Sequence, residues 1–432
     1  MQRKAGIVFL VISMLAALII SGCSNSTGAN EDEDGKKVEL TVWTWPDNDK
    51  TFEKTIPFFE KEHPNIKVKV QAFANDHYVE KLLSGLVSGK GPDVAMIEIG
   101  SVAKFKSSNG FVDLSKAPYN AGDLKGKYAD FAWDYVNGEN GKIFALPKNT
   151  GPGAMFYRRD LFEKAGLPTE PAEVHELMKT WDDYLEVGKK LTQKDKQWMV
   201  ATPNELYSTI LNQANISNFD EKGKLQLNKP DAVKALEYVD KANKEGIVSP
   251  FDKIWSEEWN ATMKNGTVAT YFIGNWFGGL LKDVFAQGTD GKWGVTLAPE
   301  YNGVSAFNNG GDFIGMLESS KHKDAAWEFI QFVTQNKDSL ETMYTKNDLY
   351  PAWVDAQQAE WLKQPDGFFA NQVLNEIFSQ VSSEMHAPIT NPNDPIAKEA
   401  IETMITNITH GGKSVDEALK DVTKQIKAKV QN

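Results

Sequence analysis

The stretch "VELTVWTWPDNDKTFEKTIPFFEKEHPNIKVKVQAFANDHYVEKLLSGLVSGKGPDVAMIEI", residues 38–99, alternates between two hydrophobic patterns. Three segments rich in β-branched and aromatic residues are predicted as strands: "VELTVWTW" (38–45), "NIKVKVQAF" (65–73) and "DVAMIEI" (93–99). The segments between them, "TFEKTIPFFEKEH" (51–63) and "YVEKLLSGLVSG" (78–89), have apolar residues at helical spacing. This β-α-β-α-β order predicts a parallel sheet covered by helices. Ligands of such sheets bind outside the carboxyl ends of the strands.

The composition excludes several classes of protein. The 432 residues include 47 Lys+Arg and 59 Asp+Glu, a formal net charge of −12, and no basic cluster with interleaved aromatic residues. Such a chain repels nucleic acid, so no nucleic-acid partner is expected. The 6 histidines are scattered, without an HExxH motif or a Cys/His cluster, so we expect neither a metal site nor a cofactor. The length fits two lobes, and we expect a monomer.

The start of the chain predicts export. A short basic beginning precedes an apolar run over residues 6–20, too short to span a bilayer comfortably, so residues 1–22 are predicted to be a signal peptide. "ISGC" (20–23) resembles the lipobox of bacterial lipoproteins, which implies acylation of Cys23. Residues 23–37 are predicted to be a flexible acidic tether to the outer face of the cell membrane. The alternative is an ordinary signal peptide that ends near a cysteine.

Further segments extend the pattern along the chain. In order they are "GKIFALPKNTGPGAMFYRRDLFEKAGL" (141–167), "WNATMKNGTVATYFIGNW" (259–276), "GKWGVTLAPE" (291–300) and "GGKSVDEALKDVTKQIK" (411–427). Together with the opening stretch they resemble the family-1 extracellular solute-binding proteins, the substrate-capturing subunits of sugar ABC importers. The resemblance implies an α/β fold of two lobes, each a mostly parallel sheet flanked by helices, with the ligand cleft between them. It also implies lobe limits, which are 38–149 with 301–338 for the N-terminal lobe and 151–300 with 340–432 for the C-terminal lobe.

A sugar site needs aromatic rings against the C–H faces of the sugar and polar side chains that bind several hydroxyls. In the opening stretch, such residues at or after strand ends are Trp45, Asp47, Asn48, Asp76 and Glu98. Asp47 and Asp76 have an alternative interpretation as helix N-caps. Glu98 ends an apolar run, where a charge needs a partner or a ligand. Trp43 lies deeper in the first strand and is interpreted as packing.

The remaining candidates lie later in the chain: Lys148, Asn149, Trp276, Gly311, Asp312 and Trp353. Lys148 and Asn149 lie in a Pro- and Gly-rich segment, residues 147–153, that is either a crossover between lobes or an ordinary loop. The resemblance implies sugar stacking for Trp276, because maltose-binding members of the family carry a stacking tryptophan in a matching G-x-W motif. Core packing is the alternative. Gly151 departs from those members, which have a sugar-binding glutamate there, so the ligand is expected to differ.

The resemblance implies capture without chemistry. We expect the protein to enclose a carbohydrate, an oligosaccharide in particular, by closure of the lobes and to deliver it to the membrane permease of an ABC importer. The alternative is a secreted glycosidase, which needs two carboxylates flanking the scissile bond. The sequence does not single out such a pair, and it has no G-x-S-x-G nucleophile motif.

Overall fold

The computed structural model describes residues 37–106, 108–138, 141–251 and 254–430. The predicted signal peptide, Cys23 and all but the last residue of the tether lie outside this part of the chain. Within it, no helix combines the length and the apolar character needed to cross a membrane.

The strands of the described residues join into sheets around one long central strand. They are β1 (Val38–Thr44), β2 (Ile66–Ala72), β3 (Val94–Glu98), β4 (Leu146–Arg158), β5 (Trp198–Val200), β6 (Val268–Gly274), β7 (Trp293–Thr296), β8 (Asn308–Met316) and β9 (Tyr350–Pro351). The strand order is β2-β1-β3-β8-β4-β6-β5, and β7 and β9 also pair with β4. The predicted parallel pairing holds for β2-β1-β3 and for β5-β6. The sheets are more mixed than expected, because β4 and β8 run antiparallel to their neighbours.

Helices cover these sheets. They are α1 (Asn48–Glu62), α2 (Asn75–Ser88), α3 (Val102–Lys106), α4 (Asp130–Val136), α5 (Arg159–Lys164), α6 (Pro171–Leu177), α7 (Trp181–Leu191), α8 (Pro203–Gln213), α9 (Pro230–Lys244), α10 (Glu257–Asn265), α11 (Phe277–Leu280), α12 (Lys323–Gln335), α13 (Lys337–Asn347), α14 (Asn375–Glu384), α15 (Asp394–Thr409) and α16 (Val415–Val430). The capping box expected at the start of α16 is present, since the Glu417 backbone N–H donates to Ser414 Oγ and the Ser414 N–H to Glu417 Oε2.

The strand β4 belongs to both sheets. Residues 146–150 pair with β8 and β9, and residues 153–158 pair with β6 and β7. The register shifts between Thr150 and Pro152, where the chain passes from one sheet to the other. Gly151 permits this passage, since a Cβ there would lie 2.6 Å from the Cα of Gly310. The Pro- and Gly-rich segment is therefore a crossover rather than an ordinary loop.

Hydrophobic cores form on both sides of the crossover. One packs β1, β3 and β8 against α1, α2, α4 and α12. On the other side, β6 and the second half of β4 pack against α7–α11 and α14–α16. Ala352 and Met385 join the first core, so the chain beyond residue 340 contributes to both. The lobe limits given above stay a prediction.

Candidate functional site

Three polar residues predicted from distant parts of the sequence become neighbours in the sheet formed by β2, β1, β3, β8 and the first half of β4, which we call the first sheet. Glu98, the last residue of β3, lies opposite Asp312 of β8 in the antiparallel ladder. Asn149 of β4 lies opposite Asp312 from the other side. Because β8 is inserted between β3 and β4, their polar side chains collect at one point of the sheet, beside the crossover.

The two carboxylates differ from ordinary surface carboxylates. Solvent reaches Glu98, yet the surrounding protein desolvates it: burial raises the pKa of Glu98, the Gly100 N–H opposes the rise, and the charge of Asp312 adds to it. Burial likewise raises the pKa of Asp312, opposed by the Lys148 ammonium and the Asn149 side chain.

A buried lysine anchors this cluster. Lys148 is 0% exposed, and its Nζ donates a 2.8 Å hydrogen bond to Asn48 Oδ1. The same Nζ lies 3.8 Å from Asp312 Oδ2 and 5.5 Å from the centre of the Phe52 ring. Burial lowers the pKa of Lys148 to about 8, and the charge of Asp312 opposes this shift. We call the set Asn48, Glu98, Lys148, Asn149 and Asp312 the polar pit.

Several buried polar atoms around the polar pit have no hydrogen-bond partner within the described residues. They are Thr44 Oγ1, Asn48 Nδ2, Asn149 Oδ1 and Thr150 Oγ1. An unpaired buried polar group costs about 1–3 kcal/mol of folding free energy. Thr44 ends β1, Asn48 opens α1, and Asn149 and Thr150 precede the crossover. A bound molecule that carries hydroxyl groups would satisfy such donors and acceptors.

On the other side of the crossover, Trp276 follows β6. Its indole Nε1 donates a 2.7 Å hydrogen bond to the carbonyl of Asn309, and the side chain stays partly exposed. Gly310 makes room for it, because a Cβ there would lie 2.6 Å from the indole nitrogen. The φ angles of Gly310 and Gly311 are 132° and 130°, a region that favours glycine. Gly310 and Gly311 directly precede Asp312 in β8, so the strand that contacts the Trp276 indole also carries Asp312.

Trp276 belongs to a cluster of aromatic rings that sequence reasoning missed. The ring centres of Trp255 and Trp276 lie 5.9 Å apart, with 30° between their planes. Trp255 also packs edge-on against the buried Trp259, with 5.2 Å between ring centres, and its ring is tilted by 41° against Phe285, at 6.0 Å. We call Trp255, Trp259, Trp276 and Phe285 the aromatic cluster. Its signal in the sequence was the pair of tryptophans in "WSEEW" (255–259), which precedes and opens a helix rather than ending a strand.

The candidates after the first two strands are placed less decisively. Trp45 is half-buried and packs edge-on against Tyr78, with 5.4 Å between ring centres. Asp47 precedes α1 without a side-chain capping bond, and its carboxylate lies 2.8 Å from Lys50 Nζ at the surface. Asp76 lies inside α2, which Ala74 precedes at the N-cap position, so the interpretation of Asp76 as an N-cap is wrong. The helix begins earlier than the apolar pattern suggested.

Trp353 lies with the first core. Its ring packs edge-on against Tyr128, with 5.0 Å between centres, and its backbone bridges to the same residue. A ligand contact for Trp353 stays a prediction. Trp43 is also partly buried, donating from its indole to Gln71 Oε1 at 2.9 Å, in line with the packing role expected for it.

Glu205 near the start of α8 is a second residue that the sequence did not single out. Its Oε2 accepts a 3.1 Å hydrogen bond from the backbone N–H of Phe272 in β6. Burial raises the pKa of Glu205 to about 8, opposed by the Phe272 N–H, Thr202 and Trp259. The Glu205 carboxyl group lies beside Trp259 of the aromatic cluster. In the part of the chain described, no group of three or more His, Cys, Asp or Glu side chains could hold a metal ion.

Comparison with known proteins shows the family. Residues 54–370, well over half of the chain, match the family described as bacterial extracellular solute-binding protein. The chain is 26% identical over 378 residues to an arabinooligosaccharide-binding protein of Bacillus subtilis strain 168, covering 85% of this chain and 84% of that protein. It is 27% identical over 410 residues to a lactose-binding protein of Rhizobium radiobacter, covering 91% and 93%.

A solved structure of another binding protein has a similar fold. The ABC transporter associated binding protein from B. animalis subsp. lactis Bl-04, in complex with β-1,6-galactobiose, superimposes with a TM-score of 0.74 at 26% identity, over 90% of this chain and 96% of that one. The expected two-lobed fold of periplasmic-binding-protein type is thereby confirmed, as is the resemblance found in the sequence. The family match over residues 54–370 and the two-lobed fold lead to one conclusion: this chain belongs to the bacterial extracellular solute-binding proteins.

Proposed function

We propose that this protein captures a carbohydrate, an oligosaccharide in particular, in the cleft between its lobes and delivers it to the membrane permease of an ABC importer. The observation that carries the proposal is the position of two complementary surfaces on either side of the β4 crossover. The polar pit supplies carboxylate, amide and ammonium groups. The aromatic cluster supplies a partly exposed ring at Trp276.

The chemistry of the two surfaces fits a sugar. A sugar ring has apolar C–H faces, which pack on aromatic rings, and a rim of hydroxyls, which donate and accept hydrogen bonds. The carboxylates of Glu98 and Asp312 accept hydrogen bonds from sugar hydroxyls, and the unpaired Nδ2 of Asn48 donates a hydrogen bond to a hydroxyl oxygen. Two relatives are an arabinooligosaccharide-binding protein and a lactose-binding protein, which supports a carbohydrate ligand here.

Closure of the lobes around the ligand follows from this division. A ligand that touches both surfaces binds the closed form better than the open form, and it stabilises closure by that difference in affinity. In the proposal, the β4 crossover at residues 150–152 carries the hinge movement, because the chain passes there from one sheet to the other. The remaining candidate contacts in the proposal are Trp45, Asp47, Asp76, Gly311 and Trp353.

The glycosidase alternative has less support. A glycosidase needs an acid and a second carboxylate on opposite sides of the scissile bond. Glu98 and Asp312 are instead direct partners in one β-ladder. The named relatives are binding proteins rather than enzymes.

Delivery to a permease requires the receptor to stay close to the membrane. The proposal includes cleavage after residue 22 and acylation of Cys23, so that a tether holds the protein at the outer face of the cell membrane. Mass spectrometry of the mature protein tests this part. An acylated N-terminal cysteine is expected, and an unmodified N-terminus would contradict the anchor without touching the ligand site.

A thermal-shift screen tests the proposed function. The probes are arabino-oligosaccharides, lactose and β-1,6-galactobiose, with the constituent monosaccharides. Binding raises the melting temperature, because a ligand held only by the folded state stabilises it. Galacturonic acid is the matched control for galactose, since its added carboxylate would be repelled by Glu98 and Asp312. A rise in melting temperature without release of reducing ends supports capture. Release of reducing ends would contradict capture and show that the protein hydrolyses the sugar.

A further inference from the structure

We propose that Asn275 is a positioning residue for the ligand site, because its backbone and side chain tie the turn that carries Trp276 to the β4 crossover and to the segment that leads into β9. This inference rests on the proposed carbohydrate binding, since it concerns the placement of a ring which that proposal uses. It assigns a role to a buried amide that the sequence did not single out.

The backbone of Asn275 bonds to the crossover. Asn275 lies between the end of β6 and Trp276, and it is 1% exposed. Its N–H donates a 3.0 Å hydrogen bond to the carbonyl of Pro152, the residue at which the register of β4 has shifted. The Asn275 carbonyl accepts a 3.0 Å hydrogen bond from the Gly278 N–H, which closes the turn. The turn that carries Trp276 is therefore attached to the crossover itself.

The side chain of Asn275 bonds to a third part of the chain. Its Nδ2 donates a hydrogen bond to the backbone carbonyl of Asp348. Asp348 is the C-cap of α13, in the left-handed region with a φ of 52°, and β9 begins two residues later. The strand β9 pairs with Asn149 and Thr150 of β4. One amide therefore joins the Trp276 turn to a segment that pairs with a member of the polar pit.

An ion pair holds Asp348 in place. Lys282 Nζ lies 2.6 Å from Asp348 Oδ2 and 2.9 Å from Asp366 Oδ2. Since Lys282 closely follows α11, the segment 275–282 contacts Asp348 at both of its ends. Between these ends, Gly278 passes so close that an added Cβ would lie 2.7 Å from Asp348 Oδ2. The Asp348 carbonyl is thereby held in a fixed position.

The burial of the Asn275 amide is poorly explained by stability alone. Its Oδ1 is buried and has no hydrogen-bond partner within the described residues, and an unpaired buried acceptor destabilises the folded state. The bond from Trp276 Nε1 to the Asn309 carbonyl fixes only the ring end of that side chain. With Asn275 fixing the turn, the indole is held in one orientation before a ligand arrives. Such preorganisation lowers the entropy that binding costs.

Titration calorimetry of Asn275→Ala tests the inference, with arabino-oligosaccharides, lactose and β-1,6-galactobiose as the probes. The variant keeps the backbone bond to Pro152 and loses the bond to the Asp348 carbonyl. We expect its affinity for a sugar that the wild type binds to fall about tenfold, because the Trp276 ring must then be ordered on binding.

Asn243→Ala is the matched control. Asn243 Nδ2 also donates to a distant backbone carbonyl, that of Thr409 at 2.9 Å, but this bond joins α9 to α15. Asn243→Ala should therefore bind the sugars as tightly as the wild type.

Fluorine NMR of protein labelled with fluorotryptophan reports on the indole directly. Trp276→Phe identifies the Trp276 resonance by its disappearance. That resonance should shift or broaden in Asn275→Ala and stay as in the wild type in Asn243→Ala. Asn275→Ser has a side chain too short to reach the Asp348 carbonyl, and it carries both measurements if Asn275→Ala melts early.

The outcomes separate this role from the proposed function. An unmoved Trp276 resonance, or a loss of affinity no larger than that of Asn243→Ala, would overturn the positioning role of Asn275 alone. A wild-type protein that binds none of these sugars would overturn the proposed function and the positioning role together.

Discussion

Glu98 and Asp312 are direct partners across the β3-β8 ladder, so two carboxylates that are far apart in sequence share one desolvated position. Like charges placed directly opposite each other in a sheet are destabilising. Lys148 offsets part of this cost, because its Nζ lies 3.8 Å from Asp312 Oδ2. The same Nζ donates a hydrogen bond to Asn48 Oδ1 rather than to either carboxylate. The arrangement is poor for stability alone, and it fits a site whose ligand supplies the missing hydrogen bonds.

Replacing Glu98 by Gln should therefore stabilise the unliganded protein and weaken ligand binding. The pKa of Glu98 is raised, so its ionised form costs folding free energy at pH 7, and this cost is relieved as the pH falls through the folded pKa. Scanning calorimetry should give a higher melting temperature for Glu98→Gln at pH 7, with the gap to the wild type closing at lower pH. Loss of a charged acceptor should weaken sugar binding by about tenfold. A variant that melts earlier and binds equally well would show that Glu98 is a structural residue.

Glu205 should impose its own pH dependence on stability. Its pKa is raised to about 8, so the folded protein holds a proton there that the unfolded chain releases at a lower pH. The stability that this group contributes is present below the unfolded pKa and is lost as the pH rises through about 8. Urea unfolding between pH 6 and 9, roughly the window in which the folded group ionises, should show falling stability for the wild type and a flatter profile for Glu205→Gln. Parallel profiles for the two proteins would contradict the buried, protonated carboxyl group.

Trp276→Ala should abolish most sugar binding while the fold persists. Its ring is partly exposed, so its removal costs the core little, whereas the proposed stacking surface for a sugar is lost. Trp43→Ala is the matched control: it also removes a partly buried tryptophan with one indole hydrogen bond, but on the β2 side of the first sheet. Titration calorimetry and far-UV circular dichroism should separate the two variants. Unchanged affinity in Trp276→Ala would assign this residue to packing.

Gly310→Ala should damage the site more than the fold. An added Cβ would lie 2.6 Å from the Trp276 indole nitrogen, and the φ angle of 132° is strained for alanine. Gly303→Ala is the control, because Gly303 also has a positive φ, 80°, but an added Cβ there would meet no other atom within 4 Å. Both variants should lose about 1 kcal/mol or more of stability through backbone strain. Only Gly310→Ala should weaken sugar binding, and equal binding by both would remove the link between the glycine loop and Trp276.

The parts of the fold with local patterns could be predicted from the sequence. The opening strands and helices follow from apolar periodicity, and the start of α16 follows from its capping box. The place of β8 between β3 and β4 could not be read from any local pattern, because it depends on pairing between segments more than 150 residues apart. The lysine bond to Asn48 depends on the same long-range packing.

The candidate site shows the same division. Glu98, Lys148, Asn149 and Asp312 were predicted separately, and the sheet brings them together. Trp255 was missed because it does not end a strand, and its exposure depends on a backbone conformation that sequence does not reveal for a tryptophan. The start of α2 was placed too late, since the apolar stripe begins after the first turn of the helix.

Isothermal titration calorimetry of the mature protein with arabino-oligosaccharides, lactose and β-1,6-galactobiose tests most directly whether the polar pit and the aromatic cluster hold a sugar. We predict saturable binding of at least one of these sugars at one site per chain, without release of reducing ends during the titration. Absence of heat with every sugar, or heat that accompanies cleavage of the sugar, would contradict the proposal that this protein is a carbohydrate receptor.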